Sequence, residues 1–136
     1  MSNEVHEYDA MNVTTTVGGI VITGYSDGSL VECSQDNDNF TTKVSAQGDV
    51  GVANSNNPLG TIKIMLTQTS PSLSYLNQLA NSKATVPIWV TSNNEMKEKI
   101  GGTKAKVTKP ADAKFSNNIE DREFDLKVFD YTVVPG

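Results

Sequence analysis

The residues that most often carry catalysis or bind metals are scarce in this chain. Among its 136 residues there is one histidine, His6, in a polar N-terminal segment, and one cysteine, Cys33. A serine–histidine–aspartate triad and a histidine-rich metal centre both need histidines that packed elements hold in place. A lone cysteine forms no disulfide within the chain, and free cysteines usually pack as small apolar residues. We therefore predict no catalytic residue and no thiol chemistry.

Two acidic groups resemble metal or catalytic sites only in part. Asp36 and Asp38 begin like a calcium loop, but Phe40 occupies the third ligand position and Gln47 the twelfth, where glutamate is required. In the run 120–125 (EDREFD), alternation along a strand sends Asp121, Glu123 and Asp125 to one face. A solvated surface explains that face better than paired catalytic carboxylates. We predict no metal site, no cofactor and no enzymatic activity.

The central stretch of the chain predicts one strand followed by one helix. Within Thr61–Gln68 apolar and polar residues alternate, which is typical of a half-buried strand. Ser70 is a suitable N-cap and Pro71 suits the first helical position. An apolar stripe then repeats at helical spacing. With the closing strand, these elements predict a core made of Ile62, Ile64, Leu66, Leu73, Leu76, Leu79, Phe124, Leu126 and Val128.

The other segments predict strands. Val13–Val17 and Ile20–Gly24 flank Gly18-Gly19 and form a hairpin pattern. Pro87 marks a strand start, an edge or a bulge, and a change of apolar parity near residues 128–130 indicates a second irregularity. The remaining strands are predicted at Leu30–Ser34, Phe40–Ala46, Val86–Thr91, Thr103–Lys109 and Glu120–Val134. The sequence thus predicts a mainly β single domain over residues 1–136, an antiparallel β-sandwich or partly open β-barrel with one flanking α-helix.

Two segments lack a clear pattern of secondary structure. Residues 1–12 show no periodicity and are predicted to be a flexible or interface-forming N-terminal arm. Gln47–Gly60 is rich in glycine and asparagine; a short strand around Val50 and Val52 is allowed, but most of it is predicted to be a long loop. A loop of this length in a small domain is more often functional than idle.

Charge is unevenly distributed along the chain. The net charge is -5; residues 1–60 hold eight acids and one base (-7), and residues 61–136 hold eight acids and ten bases (+2). An acidic half disfavours tight nucleic-acid binding. The asymmetry fits self-association between an acidic and a basic surface, or a solvated surface with no such role. No apolar run approaches the roughly 20 residues of a membrane span, and the polar start is unlike a secretion signal.

Five segments, taken in order, resemble one known family. They are Asp38–Gly51, Asn57–Tyr75, Pro87–Val90, Gly101–Ala105 and Arg122–Val133. The sequences of these segments and their order resemble those of bacteriophage tail tube proteins, particularly from contractile-tailed phages and related prophages. The resemblance implies a structural virion protein of the tail, made in the bacterial cytoplasm. Six copies would form a ring, and rings would stack head to tail into a conduit for DNA ejection.

The resemblance also implies partners and contact residues. The partners would be the protein itself, with sheath, baseplate or initiator, tape-measure and tail terminator proteins; DNA would only pass through, and no membrane is involved. We expect acidic side chains to be in excess along the channel, because basic ones would bind phosphates. The residues predicted at subunit interfaces are Asp36, Asp38, Phe40, Gln47, Asp49, Asn54, Asn57 and Pro58.

Three other hypotheses remain open from the sequence. The tube of a phage-derived bacteriocin or contractile injection system would share the same features. A β-sandwich carbohydrate-binding module usually exposes clustered aromatic residues, whereas only 7% of this chain is aromatic and Trp89 is its one tryptophan. A small-molecule barrel enzyme or carrier needs an apolar cavity with convergent polar groups.

Overall fold

Ten strands and one helix make up the part of the chain that the computed structural model describes, which is residues 13–25, 31–54, 58–93 and 97–135. The N-terminal arm predicted over residues 1–12 lies outside this part. Strand accounts for 54% of the structure, the pairing is antiparallel, and the described strands form no closed barrel. The prediction of a mainly β, sandwich-like fold with one helix is confirmed. The strands are β1 Val13–Val17, β2 Ile20–Val21, β3 Val31–Gln35, β4 Phe40–Val44, β5 Val50–Asn54, β6 Gly60–Thr67, β7 Val86–Ser92, β8 Glu98–Val107, β9 Asp121–Val128 and β10 Thr132–Pro135, and the helix α1 is Leu73–Ser82.

Eight strands form one sheet, and the other two form a separate hairpin. The order in the large sheet is β2-β1-β7-β8-β9-β6-β3, with β10 pairing to β8. Strands β4 and β5 pair only with each other. Within the described strands, β3 and β2 lie at the two ends of this order and are edges of the large sheet, and β10 has β8 as its one neighbour.

The opening hairpin turns at the predicted glycine pair. Gly18 and Gly19 have φ angles of 60° and 84°, the left-handed backbone that a type I′ turn requires. Strand β2 ends at Val21, three residues earlier than predicted. Ile22 then leaves the strand and becomes buried, while its N–H still donates to the Thr15 carbonyl at 2.9 Å.

The helix begins later than predicted. Its N-cap is Ser72 rather than Ser70, and Pro71 lies before the first turn. Both serines bind Thr23 instead of capping: Ser70 Oγ donates to the Thr23 carbonyl at 2.6 Å, and Ser72 Oγ accepts from the Thr23 N–H at 3.0 Å. Ser70 Oγ also accepts from the Ser72 N–H at 3.1 Å. The serine side chains therefore fasten the start of α1 to the chain that follows β2.

Strand β8 begins at Glu98, five residues before the predicted start at Thr103, and so includes a glycine pair. Gly101 and Gly102 pair with Trp89 and Ile88 of β7, and β8 runs unbroken through them. The register between β7 and β8 shifts between Val86 and Ile88. This irregularity flanks Pro87, as predicted, because proline has no N–H to donate to a sheet.

The closing segment is interrupted at the predicted place but without an inserted residue. Val128 pairs with Ala105, and Thr132 pairs with Gly101, so three residues separate the pairs on each strand. In the gap the Asp130 carboxylate accepts hydrogen bonds from the N–H groups of Thr103 and Lys104, both at 3.0 Å. A side chain thus replaces the missing strand hydrogen bonds, and the register is kept.

The core lies between the inner face of the curved sheet and α1. All but one of the residues predicted for the core are buried there; Leu73 is partly buried and packs against the rest. The buried set also contains Val17, Ile22, Ala80, Ile88, Val90, Ala105 and Val107. No helix among the described residues has the length and apolar character needed to cross a membrane.

Candidate interaction surface

Among the described residues, the groups capable of covalent or metal chemistry are not assembled into a site. Cys33 is half-buried, and burial, helped by the charge of Glu98, raises the pKa of its thiol to about 11. The thiol is therefore protonated at neutral pH and is a poor nucleophile. Within residues 13–25, 31–54, 58–93 and 97–135, no three histidine, cysteine or acidic side chains are grouped to hold a metal ion. His6 lies outside the described residues.

The Asp36 side chain binds other residues of its own chain. Its carboxylate accepts a hydrogen bond from Thr61 Oγ1 at 2.7 Å and forms an ion pair with Lys127. These hydrogen bonds, that of Lys127 first, lower the pKa of Asp36 below its usual value. The chain that leads into the β4–β5 hairpin is thereby tied to β6 and β9, so the hairpin projects from an anchored base.

The acidic face predicted on the closing strand is a solvated one. Glu123 forms an ion pair with Lys63 of the neighbouring strand at 3.5 Å, and both side chains are about half exposed. Asp121 is exposed and Asp125 is partly buried. Arg122, on the opposite face, is buried, with its guanidinium over the ring of Phe115. The geometry is that of a strand surface, without a cleft between the acids.

The β4–β5 hairpin carries an apolar face that the described part of the chain leaves exposed. Pairing places Phe40 opposite Asn54, Thr42 opposite Val52, and Val44 opposite Val50. Every residue of both strands is exposed. We call Phe40, Val44, Val50 and Val52 the hairpin apolar face; their exposed fractions are 53%, 64%, 64% and 63%.

This hairpin corrects the prediction of a long loop over Gln47–Gly60. The segment contains β5, the short strand that the pattern allowed, and turns back at residues 45–49. Ser45 Oγ accepts from the Asp49 N–H at 3.1 Å and holds that turn. Sequence reasoning missed the pairing because β5 reads VGVAN, with only two branched apolar residues.

The residues predicted at subunit interfaces divide between the base, strands and tip of this hairpin. Asp36 and Asp38 precede β4, and Gln47 and Asp49 lie in the turn. Pro58 lies between the hairpin and β6. Phe40 and Asn54 face each other at the base of the two strands. Asn57 lies outside the described residues. Those described are all exposed on the molecular surface.

A second surface feature, absent from the sequence predictions, is a cleft beside the C-terminal end of α1. Its volume is about 630 Å³. We call it the lysine cleft; four lysines and four apolar residues line it, namely Lys83, Lys106, Lys109, Lys127, Ala80, Val107, Pro110 and Phe129. The basic excess of residues 61–136 was the sequence signal for it, but only folding brings these three segments together.

Comparisons with known proteins place this fold among parts of contractile injection systems. No protein-family model and no curated protein matches the sequence. Among solved structures, the anti-feeding prophage cap, a tube-terminating cap, matches 99% of this chain and 97% of its own, with TM-score 0.66 and 15% identity. The sheath/tube terminator of the extracellular contractile injection system PVC matches 97% and 99%, with TM-score 0.67 and 16% identity. A chain of the PVC sheath-tube complex matches 96% and 93%, with TM-score 0.58 and 15% identity. At these identities the likeness is one of fold, and the proteins in question are structural parts of particles.

Proposed function

We propose that this protein is a ring-forming structural subunit of the tube of a contractile tail or injection particle. The observation that carries the proposal is the hairpin apolar face, which the chain builds on a separate two-stranded sheet and leaves exposed. A two-stranded hairpin is marginally stable by itself in water. Contact with another subunit would bury the face and stabilise the hairpin.

The edges of the large sheet support the same proposal. Strands β3 and β2 each leave one side without a neighbour among the described strands. Exposed strand edges invite pairing with further chains. A closed ring joins such edges in the plane and leaves none free, whereas stacking of rings is a head-to-tail contact that continues along an axis. A six-membered ring and a hollow conduit for DNA are what the family resemblance adds.

A second candidate is a terminator, which would cap such a tube instead of continuing it. The terminator and cap chains match with TM-scores of 0.67 and 0.66, against 0.58 for the chain of the sheath-tube complex. A terminator would share the ring-forming edges, but its stacking contact would operate on one side only.

Negative-stain electron microscopy of the purified protein separates these functions. A tube subunit forms stacked rings or tubes with a central hole, and their length grows with protein concentration. A terminator forms single rings, or pairs of rings, at every concentration. Persistent monomers under all conditions, verified by analytical ultracentrifugation, would contradict both.

A further inference from the structure

We infer that the lysine cleft is the receptor for the hairpin apolar face of a second copy of this chain. This inference rests on the proposed function, because it names the surface that receives the hairpin when subunits assemble. The β4–β5 hairpin of one subunit would insert its apolar face into the cleft of the next. Asp38 and Asp49, at the base and tip of the hairpin, would lie among the lysines.

Repulsion between lysine side chains in the lysine cleft destabilises an isolated subunit. Lys106 and Lys127 are directly opposite on β8 and β9, and like charges in that position repel. Lys127 is compensated by Asp36, and Lys109 lies 3.5 Å from the exposed Asp112. Among the described residues, no carboxylate lies within 4.0 Å of the ammonium groups of Lys83 or Lys106. Two lysines of the cleft therefore lack a charge partner in the part of the chain that the structure describes.

The backbone of Lys83 adds to this argument. Its φ of 57° makes it the one non-glycine residue in the left-handed region among the described residues. Helices commonly end with glycine or asparagine in this conformation, because a side chain is strained there by roughly 1–2 kcal/mol. A lysine at this position, on the rim of the cleft, is explained if its charge is used in a contact outside the subunit.

The lining of the cleft matches the hairpin in chemistry. Apolar residues such as Val107, Pro110 and Phe129 lie between the lysines, and Phe129 is 39% exposed. A nucleic-acid backbone would pair its phosphates with the lysines but would leave the apolar residues of the cleft exposed to water. A hairpin with one aromatic and three valine side chains and flanking aspartates satisfies both.

The hairpin does not reach the cleft of its own subunit through any contact in the structure. Asp36 anchors its base beside Lys127, yet every strand residue beyond that base is exposed. The cleft and the hairpin face are thus both open in the isolated chain. This arrangement makes a head-to-tail contact, in which each subunit offers one surface of each kind.

Photo-cross-linking tests the contact directly. A benzoylphenylalanine at Val52, within assembled full-length protein made from mixed ¹⁴N and ¹⁵N chains, is expected to link between chains to residues 80–83 or 106–110. The same probe at Ala53, on the other face of the hairpin, is the control and should not link there. Links between chains to other regions, or links within one chain to its own cleft, would overturn the inference.

Charge reversal provides an independent test. Lys106→Glu should raise the concentration needed for assembly about tenfold, equivalent to about 1.4 kcal/mol. Asp49→Lys should do the same, and the two changes combined in one chain should restore assembly to within about threefold of wild type. Lys97→Glu, roughly 30 Å away along β8 at about 3.3 Å per residue, is the matched control and should have little effect.

Different results would contradict the inference about the lysine cleft and the proposed function. If wild-type protein forms rings in the microscope but the Lys106 and Asp49 variants are indistinguishable from wild type, the inference about the cleft is wrong and the proposed function stands. If wild-type protein stays monomeric and gives no links between chains, both are wrong.

Discussion

At the scale of single residues, the structure depends on positions where a side chain has no room. A Cβ on Gly101 would lie 2.0 Å from the carbonyl oxygen of Ile88, and Gly101 has φ of 152°. Gly60 is covered by the ring of Tyr131, and a Cβ on Gly102 would meet Asp130 and Val128. Gly60 and Gly102 let the closing segment lie directly on β6 and β8, and Gly101 lets β7 approach β8 closely.

Gly101→Ala should lower the free energy of unfolding by about 2–4 kcal/mol, because the neighbouring atom is backbone and cannot rotate away. Urea unfolding followed by circular dichroism would measure this. Gly48→Ala is the control: its φ is 86°, but a Cβ there would meet nothing within 4 Å. It should lose only about 1–2 kcal/mol from backbone strain. Equal losses at both positions would contradict the steric explanation.

Asp130 gives a pH-dependent prediction. Burial raises the pKa of its carboxyl, but hydrogen bonds from Thr103 and Lys104 outweigh this effect, so the pKa in the folded protein is lowered. Its contribution to stability is therefore complete above the unfolded value of about 3.9 and is lost as pH falls through the lower folded value.

Asp130→Asn should cost about 1–2 kcal/mol at pH 7, because the amide NH₂ cannot accept the bonds that the second carboxylate oxygen accepts. The difference between variant and wild type should shrink at pH 3 and below. Urea unfolding at a series of pH values would measure this difference in stability. The control is Asp112→Asn, because the Asp112 side chain is 92% exposed. A difference that stayed constant with pH would count against the hydrogen-bond account.

At the scale of elements, α1 is held to the sheet by a narrow apolar stripe. Leu76 is fully buried and Leu79 and Ala80 are nearly so. The Tyr75 hydroxyl also donates to the Val17 carbonyl at 2.9 Å, so the helix is tied to β1 as well as packed on it. The helix therefore closes one end of the core between β1 and β8.

Leu76→Ala should lower the free energy of unfolding by about 2–5 kcal/mol, because it leaves a cavity between helix and sheet. A thermal or urea melt would show it. Ser74→Ala, on the exposed side of the same helix, should change stability by less than about 0.5 kcal/mol. A neutral result for Leu76→Ala would mean that the helix is placed wrongly.

At the scale of the whole molecule, stability and assembly depend on different surfaces. The large sheet and α1 contain the core, whereas the β4–β5 hairpin contributes no buried residue. Changes to the exposed side chains of the two hairpin strands should therefore leave the melting temperature of the subunit unchanged and act on association alone.

The triple variant Val44→Thr, Val50→Thr, Val52→Thr keeps the shape and strand preference of valine but makes the hairpin apolar face polar. We expect unfolding to stay within about 0.5 kcal/mol of wild type, while rings or tubes disappear in negative stain. Ala53→Thr changes the opposite face and should assemble normally. Normal assembly of the triple variant would show that this face is not a subunit contact.

Much of the fold was predictable because its signals are local. Alternation in β6 and β9, the glycine pair after Val17, and the spacing of Leu73, Leu76 and Leu79 each report the conformation of a few adjacent residues. The errors lay where a local signal is overruled by a distant partner. The predicted strand begins only at Thr103, after Gly101-Gly102, but pairing with β7 and β10 brings this glycine pair into β8.

Composition and short-range periodicity were sufficient to predict the mainly β class, the single helix and most of the buried core. The separation of β4 and β5 from the large sheet became visible only in the folded structure. The same is true of the cleft in which the segments around Lys83, Lys106 and Lys127 meet. Strand pairing and the meeting of remote segments depend on which surfaces the whole chain can bury together, and that balance is not encoded in any one stretch.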